Sequence, residues 1–117
     1  MKLAEVAALL DARALCCLGR LDEEVSAAFG SDMMSDVLAF MNEDTLLLTG
    51  LVNAHVIRTA EMLELRCIVF VRGKRVNEEI VELAEAQNVV LLTTEKTLYE
   101  SCGVLFAGGL PGVKRKK

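Results

Sequence analysis

Three short apolar runs recur along the chain at a fixed interval of 22 residues: Thr45-Leu46-Leu47-Leu48-Thr49, Cys67-Ile68-Val69-Phe70-Val71 and Val89-Val90-Leu91-Leu92-Thr93. Runs of this length, rich in Val, Ile and Leu and lacking polar alternation, read as strands buried on both faces. Amphipathic helices fit between them. Asn53 can cap one, with Val56, Ile57, Ala60 and Leu63 on its inner face. Asn77 can cap the next, with Glu78 and Glu79 in the first turn, where the helix dipole favours acids, and with Ile80, Leu83 and Ala84 inward. A last helix is expected to begin near Thr94, to bury Leu98, Cys102, Leu105 and Phe106, and to stop at Gly108-Gly109. Strand, helix, strand, helix, strand implies parallel strands joined by right-handed crossovers. A leucine-rich solenoid would need the Leu-x-x-Leu-x-Leu pattern and more copies, and the sequence has neither.

The N-terminal part is less regular. Leu3, Val6, Ala7 and Leu10 form one apolar helical stripe. Residues 14–18 and 25–29 read as strands around a polar turn, Gly19-Arg20-Leu21-Asp22-Glu23-Glu24, and a short helix over 35–41 leads into the first repeat. The expected fold is α/β, in two or three layers, with a mainly parallel sheet and flanking helices. A chain of 117 residues, 53% hydrophobic, fits one domain with a core able to fold alone. Residues 1–110 are assigned to that domain and 111–117 to a basic, flexible tail.

Charge and cysteine usage narrow the function. The net charge is −4, yet Lys114, Arg115, Lys116 and Lys117 are all basic, so removing their four positive charges leaves −8 for residues 1–113. An acidic body opposes nonspecific nucleic-acid binding. No run approaches the length of a membrane helix, and Glu5 and Asp11 interrupt any leader-like start, so a cytoplasmic protein is expected. Cys16, Cys17, Cys67 and Cys102 lack Cys-x-x-Cys spacing and read as reduced, small hydrophobes. No metal and no cofactor are expected.

In an open parallel sheet, ligands collect beyond the carboxyl ends of the strands, where loops and helix N-termini meet. Those positions hold Ser31-Asp32, Thr49-Gly50, Arg72-Gly73-Lys74 and Thr93-Thr94-Glu95. The candidate ligand-binding set is Asp32, Thr49, Gly50, Arg72, Gly73, Lys74 and Thr94. Arg72 and Lys74 beside Gly73 could hold an anion, whereas Gly50 suits a tight turn with positive φ. Thr93 and Thr94 read first as helix caps, since strand–helix turns favour such residues in any case. His55 is the sole histidine and sits near a helix start. With no phosphate loop, nucleophile elbow or zinc-protease motif, no catalytic residue is assigned and the chain is not expected to be an enzyme.

Around Ser31-Asp32-Met33-Met34-Ser35-Asp36 and Leu47-Leu48-Thr49-Gly50-Leu51 the sequence resembles the DRTGG domain family, named for an Asp-Arg and a Thr-Gly-Gly. The likeness runs from about Leu3 to Leu110. Asp32, Thr49 and Gly50 match, while Met33 stands for the Arg and Leu51 for the second Gly. The resemblance implies an α/β fold similar to the noncatalytic N-terminal domain of HPr kinase and the corresponding region of Mur ligases. Such domains occur fused to CBS nucleotide-sensing domains, to phosphotransacetylase and to cobyrinic-acid-synthase-like ATPases, in regulatory or dimer-forming settings. The function expected from the resemblance and the strand-end residues together is that of a non-catalytic regulatory module. It would form a homodimer, bind a nucleotide or small anion and act on a partner enzyme in trans. The alternative is a protein–protein adaptor or dimerisation module with no small-molecule ligand.

Overall fold

The structure is a computed structural model and describes residues 1–42 and 44–114. The three apolar runs become adjacent parallel strands: β3 (Thr45–Thr49), β4 (Cys67–Phe70) and β5 (Val90–Thr93). A fourth parallel strand, β2 (Ala27–Gly30), lies beside β3. A two-residue strand, β1 (Arg13–Ala14), pairs antiparallel with β5, giving the order β1-β5-β4-β3-β2. The helices are α1 (Leu3–Leu10), α2 (Met34–Phe40), α3 (Ala54–Leu63), α4 (Glu78–Ala86) and α5 (Leu98–Ala107).

Strand register sorts the core into two sides. Phe29, Leu47, Ile68 and Leu91 stand in one row across the sheet. Successive side chains point to opposite faces, so Leu46, Leu48, Cys67, Val69, Val90 and Leu92 point the other way. The first row packs with Met34 and Val37 of α2, Val56, Ile57 and Ala60 of α3, and Ile80 and Ala84 of α4. The second set packs with Leu3, Val6 and Leu10 of α1 and Leu105 of α5. The result has three layers, with α2, α3 and α4 on one face and α1 and α5 on the other.

Local signals place most of these elements. Asn53 and Asn77 cap α3 and α4, accepting 3.0 Å hydrogen bonds from the N–H groups of Val56 and Ile80. The inner positions Leu63 and Leu83 are only partly buried.

Three expectations are corrected. The strand expected over 14–18 shrinks to Arg13–Ala14, because Cys17 turns left-handed (φ 58°) and the chain enters a 3-10 turn, Leu18–Arg20. Cys16 and Cys17 instead direct their thiols at the Val89 carbonyl. The last helix starts at Leu98, capped by the Thr97 hydroxyl rather than near Thr94. Phe106, expected inside, is 71% exposed.

The chain past α5 also departs from a free tail beginning at 111. Ala28 donates its N–H to the Pro111 carbonyl at 2.9 Å, and Val113 donates to the Ala28 carbonyl at 3.1 Å. Residues 111–113 thus strap the outer edge of β2, satisfying backbone groups that an edge strand leaves open. Residues 115–117 lie outside the described residues.

Candidate functional site

At the carboxyl ends of β2 and β3, Asp32 ties two loops together. Its Oδ1 accepts from the Gly50 N–H at 2.7 Å and from the Thr49 hydroxyl at 2.9 Å, while Thr49 Oγ1 accepts from the Leu51 N–H at 3.1 Å. The Gly50 N–H first, then the Thr49 hydroxyl and the fields of Arg72 and Lys74, hold the Asp32 carboxyl below the ordinary carboxylate range, against an opposing desolvation effect. Gly50 does not supply the positive φ expected of it. Its backbone stays outside the left-handed region, but a Cβ there would fall 2.6 Å from Nη2 of Arg72. The arginine therefore lies directly over the glycine.

The direction of the Asp32 shift gives a pH prediction. A depressed folded-state pKa contributes stability that is complete above the unfolded value, near 3.9, and is lost as pH falls through the folded one. Asp32→Asn is expected to cost roughly 1 kcal/mol at pH 7, a small figure because the side chain is exposed. Urea unfolding at pH 7 and pH 3 checks this. The gap between the two proteins should narrow at pH 3, and a constant gap contradicts a charge-assisted link.

From Arg72 the chain turns toward β5. Arg72 (φ 66°) and Gly73 (φ 62°) are successive left-handed residues, a conformation that glycine adopts freely and arginine does not. Cross-bonds hold the turn: Arg72 N–H to the Lys96 carbonyl at 2.8 Å and Gly73 N–H to the Thr94 carbonyl at 2.9 Å. The Glu95 carboxylate fills the space a side chain at Gly73 would need.

Here the β4 and β5 loops part. The chain leaving β4 runs to α4 on one face, and the chain leaving β5 runs to α5 on the other. Divergence of adjacent connections makes a crevice at a topological switch point. A cavity of about 470 Å³ opens there, lined by Asp11, Arg13, Lys74, Arg75, Thr93 and Glu95 among others. The ion pairs found among the described residues join Arg20, Glu23, Asp44 and Arg66 at the opposite, amino end of the sheet. Arg13, Lys74 and Arg75 have no carboxylate within 4 Å among the described residues.

The seven sequence-derived candidates accordingly divide. Asp32, Thr49, Gly50 and Arg72 form the polar clasp over β2, β3 and β4. Gly73, Lys74 and Thr94 border the cavity at β4 and β5, and Arg72 joins the two groups through the shared turn. Thr94 is buried, and its hydroxyl donates to the Leu10 carbonyl at 2.7 Å and accepts from the Lys96 N–H at 3.3 Å. It shapes the cavity wall from behind. Sequence reasoning missed Arg13, Arg75 and Asp11, and it placed Glu95 at a strand end without taking it into the candidate set. Arg75 was visible beside Lys74, whereas Arg13 reaches the cavity only through the antiparallel pairing of Arg13 with Thr93.

Other chemistry is weakly supported by the geometry. His55 shares a shallow hollow with Ser31, Asp32 and Ser35, but no hydrogen bond joins it to any of them among the described residues. Burial pushes the Cys16 thiol up to about 12 and raises those of Cys67 and Cys102. Thiols kept protonated at neutral pH are poor nucleophiles and poor metal ligands. Among the described residues, no helix is long and apolar enough to cross a membrane.

Comparison with known proteins agrees with this architecture. The fold matches the crystal structure of the CBS and DRTGG domains of the regulatory region of a Clostridium perfringens pyrophosphatase, complexed with its activator diadenosine tetraphosphate. The TM-score is 0.73 at 20% sequence identity, covering 99% of this chain and 51% of that one, so this chain spans about half the length of its structural neighbour. No curated protein matches the chain in sequence. The DRTGG domain model matches residues 5–106, and the chain belongs to the DRTGG domain family.

Proposed function

We propose that this chain is a non-catalytic, ligand-sensing regulatory module of the cytoplasm that binds a nucleotide or small anion and acts, as a homodimer, on a partner enzyme in trans. The observation that carries the reading is the cavity at the β4–β5 switch point with Arg13, Lys74 and Arg75 around it. Its volume lies within the range of small-molecule sites. Cations without carboxylate partners favour phosphate. Asp11 and Glu95 on the same walls add acceptors suited to the hydroxyl or amino groups of a nucleoside, which a bare anion lacks. That combination favours a nucleotide over inorganic phosphate. The neighbouring fold in a nucleotide-activated regulatory region agrees with the same class.

A thermal-melt screen against nucleotides and small anions tests the reading. At 100 times its dissociation constant a ligand stabilises by about 2.7 kcal/mol, roughly several degrees in a domain of this size. Lys74→Ala with Arg75→Ala should abolish the shift, whereas Asp32→Asn should leave it. A shift that survives the double substitution puts the ligand elsewhere. A flat screen favours the adaptor reading instead.

A further inference from the structure

The α5 surface carries a feature that the cavity does not explain. Tyr99 is 91% exposed and Phe106 71% exposed. With Gly103 between them they stand four and three residues apart, on a single helical face. Nothing lies within 4 Å of where a Gly103 Cβ would be, so this face has bulky ends and a notch at its middle. Beside it runs an apolar groove of about 340 Å³ between α5 and the strap 111–113, walled by Leu48, Cys102, Leu110 and Pro111 along with the two aromatic residues. No charged side chain lines that groove among the described residues.

We infer that two copies of this chain pair across a two-fold axis near Gly103, the α5 helices crossing antiparallel so that Tyr99 of each copy meets Phe106 of the other. This goes beyond the cavity and rests on the homodimer part of the proposed function, for which it names the surface. A two-fold contact requires self-complementarity, in which residue i meets j and j meets i. Two aromatic ends about a central notch satisfy that condition, and each groove stands beside the rings that would fill its counterpart.

Area and charge favour the same occupant. Aromatic side chains bury about 150–250 Å² each, so four rings in a pair remove roughly 600–1,000 Å². A specific interface needs about 1,200 Å² or more, so the four rings supply about half or more of it, with the groove and the flanking surface of α5 and the strap contributing the rest. The chain carries a net charge of −4, so two copies repel, and a groove lined by no charged side chain among the described residues is where they meet at least electrostatic cost.

Sedimentation equilibrium over roughly 1 to 100 µM on the full chain, a range that reports micromolar and tighter association, tests the pairing. The expected species has twice the 12.8 kDa chain mass. Tyr99→Glu with Phe106→Glu, both on the surface and checked for retained fold by circular dichroism, should weaken association by about 100-fold or more, as loss of central aromatic anchors does. Gly103→Cys under mild oxidation should form a disulfide-linked dimer absent from the parent chain, since such a bond needs Cα atoms within about 7 Å. A parent chain that stays monomeric overturns both this surface and the homodimer reading. A dimer indifferent to the double substitution overturns the surface alone, and failure of the Gly103→Cys cross-link in a proven dimer overturns the axis near Gly103.

Discussion

Phe70→Ala is expected to lower the unfolding free energy by about 3–5 kcal/mol, a large share of the roughly 5–15 kcal/mol that a domain of this kind possesses. Phe70 is fully buried in β4, an interior strand with β3 on one side and β5 on the other. Its ring belongs to the core beneath α3 and α4, with Ile57, Ala60, Ile80 and Ala84. Two members of that cluster are alanines, too short to fill the space a ring leaves. The cavity term therefore adds to the lost transfer energy rather than relaxing away. Urea unfolding should show a lower midpoint with an unchanged slope, the mark of altered stability in an intact two-state transition. A loss below about 1 kcal/mol, far under the usual cost of such a truncation, would mean that the α3–α4 layer can collapse onto the sheet. The substitution also reaches the site. The Phe70 carbonyl accepts the Thr94 N–H at 3.0 Å, and the turn carrying Arg72, Gly73 and Lys74 departs from the same strand end.

Thr94→Val is expected to cost about 1–3 kcal/mol, although it changes neither volume nor shape appreciably. The carbonyl of Leu10, at the C-terminal end of α1, accepts the Thr94 hydroxyl at 2.7 Å in a buried setting. The last carbonyls of a helix have no partner within it. Removing the hydroxyl leaves one of them desolvated without a bond, and that penalty exceeds the modest net worth of an ordinary hydrogen bond. Thr94→Ser, which keeps the hydroxyl, should recover most of the loss in the same unfolding measurement. If Val and Ser behave alike, the Leu10 carbonyl has found another donor. If instead Thr94→Val left stability intact and removed ligand-dependent stabilisation, the hydroxyl would be a ligand contact and not a tie between α1 and β5.

Both substitutions mark the reach of local sequence signals. The caps at Asn53 and Asn77 were legible because each bond spans three residues and depends on nothing distant. The strands at 45, 67 and 89 were legible because burial on both faces requires continuous apolar runs, which no solvent-facing segment tolerates. Thr94 misleads for the opposite reason. A threonine after a strand and before a helix has the chemistry of a cap, yet its hydroxyl bonds a carbonyl 84 residues earlier. Thr97, three residues further on, takes the capping role.

Gly50 has a different surrounding from the one its position suggests. A glycine after a strand ordinarily signals a turn of positive φ, but here φ is not positive and the Arg72 guanidinium lies over the residue, from the end of the neighbouring strand. Helical spacing points Phe106 inward with Leu98, Cys102 and Leu105. Spacing identifies which residues neighbour one another on a helix, and the outward placement of Phe106 followed from how α5 settles on the sheet.

Composition and periodicity alone thus determined an α/β chain with three buried strands, their intervening helices and a polar set at the strand ends. These follow from interactions within a turn or two of helix or a single strand's burial. The tertiary structure decided that the polar set divides into a clasp around Asp32 and a cavity at the β4–β5 switch point. It also brought Arg13 to that cavity by antiparallel pairing and turned Tyr99 and Phe106 to solvent. Each of these depends on which segments meet across long stretches of chain, and packing of the whole core selects those meetings where no local propensity can.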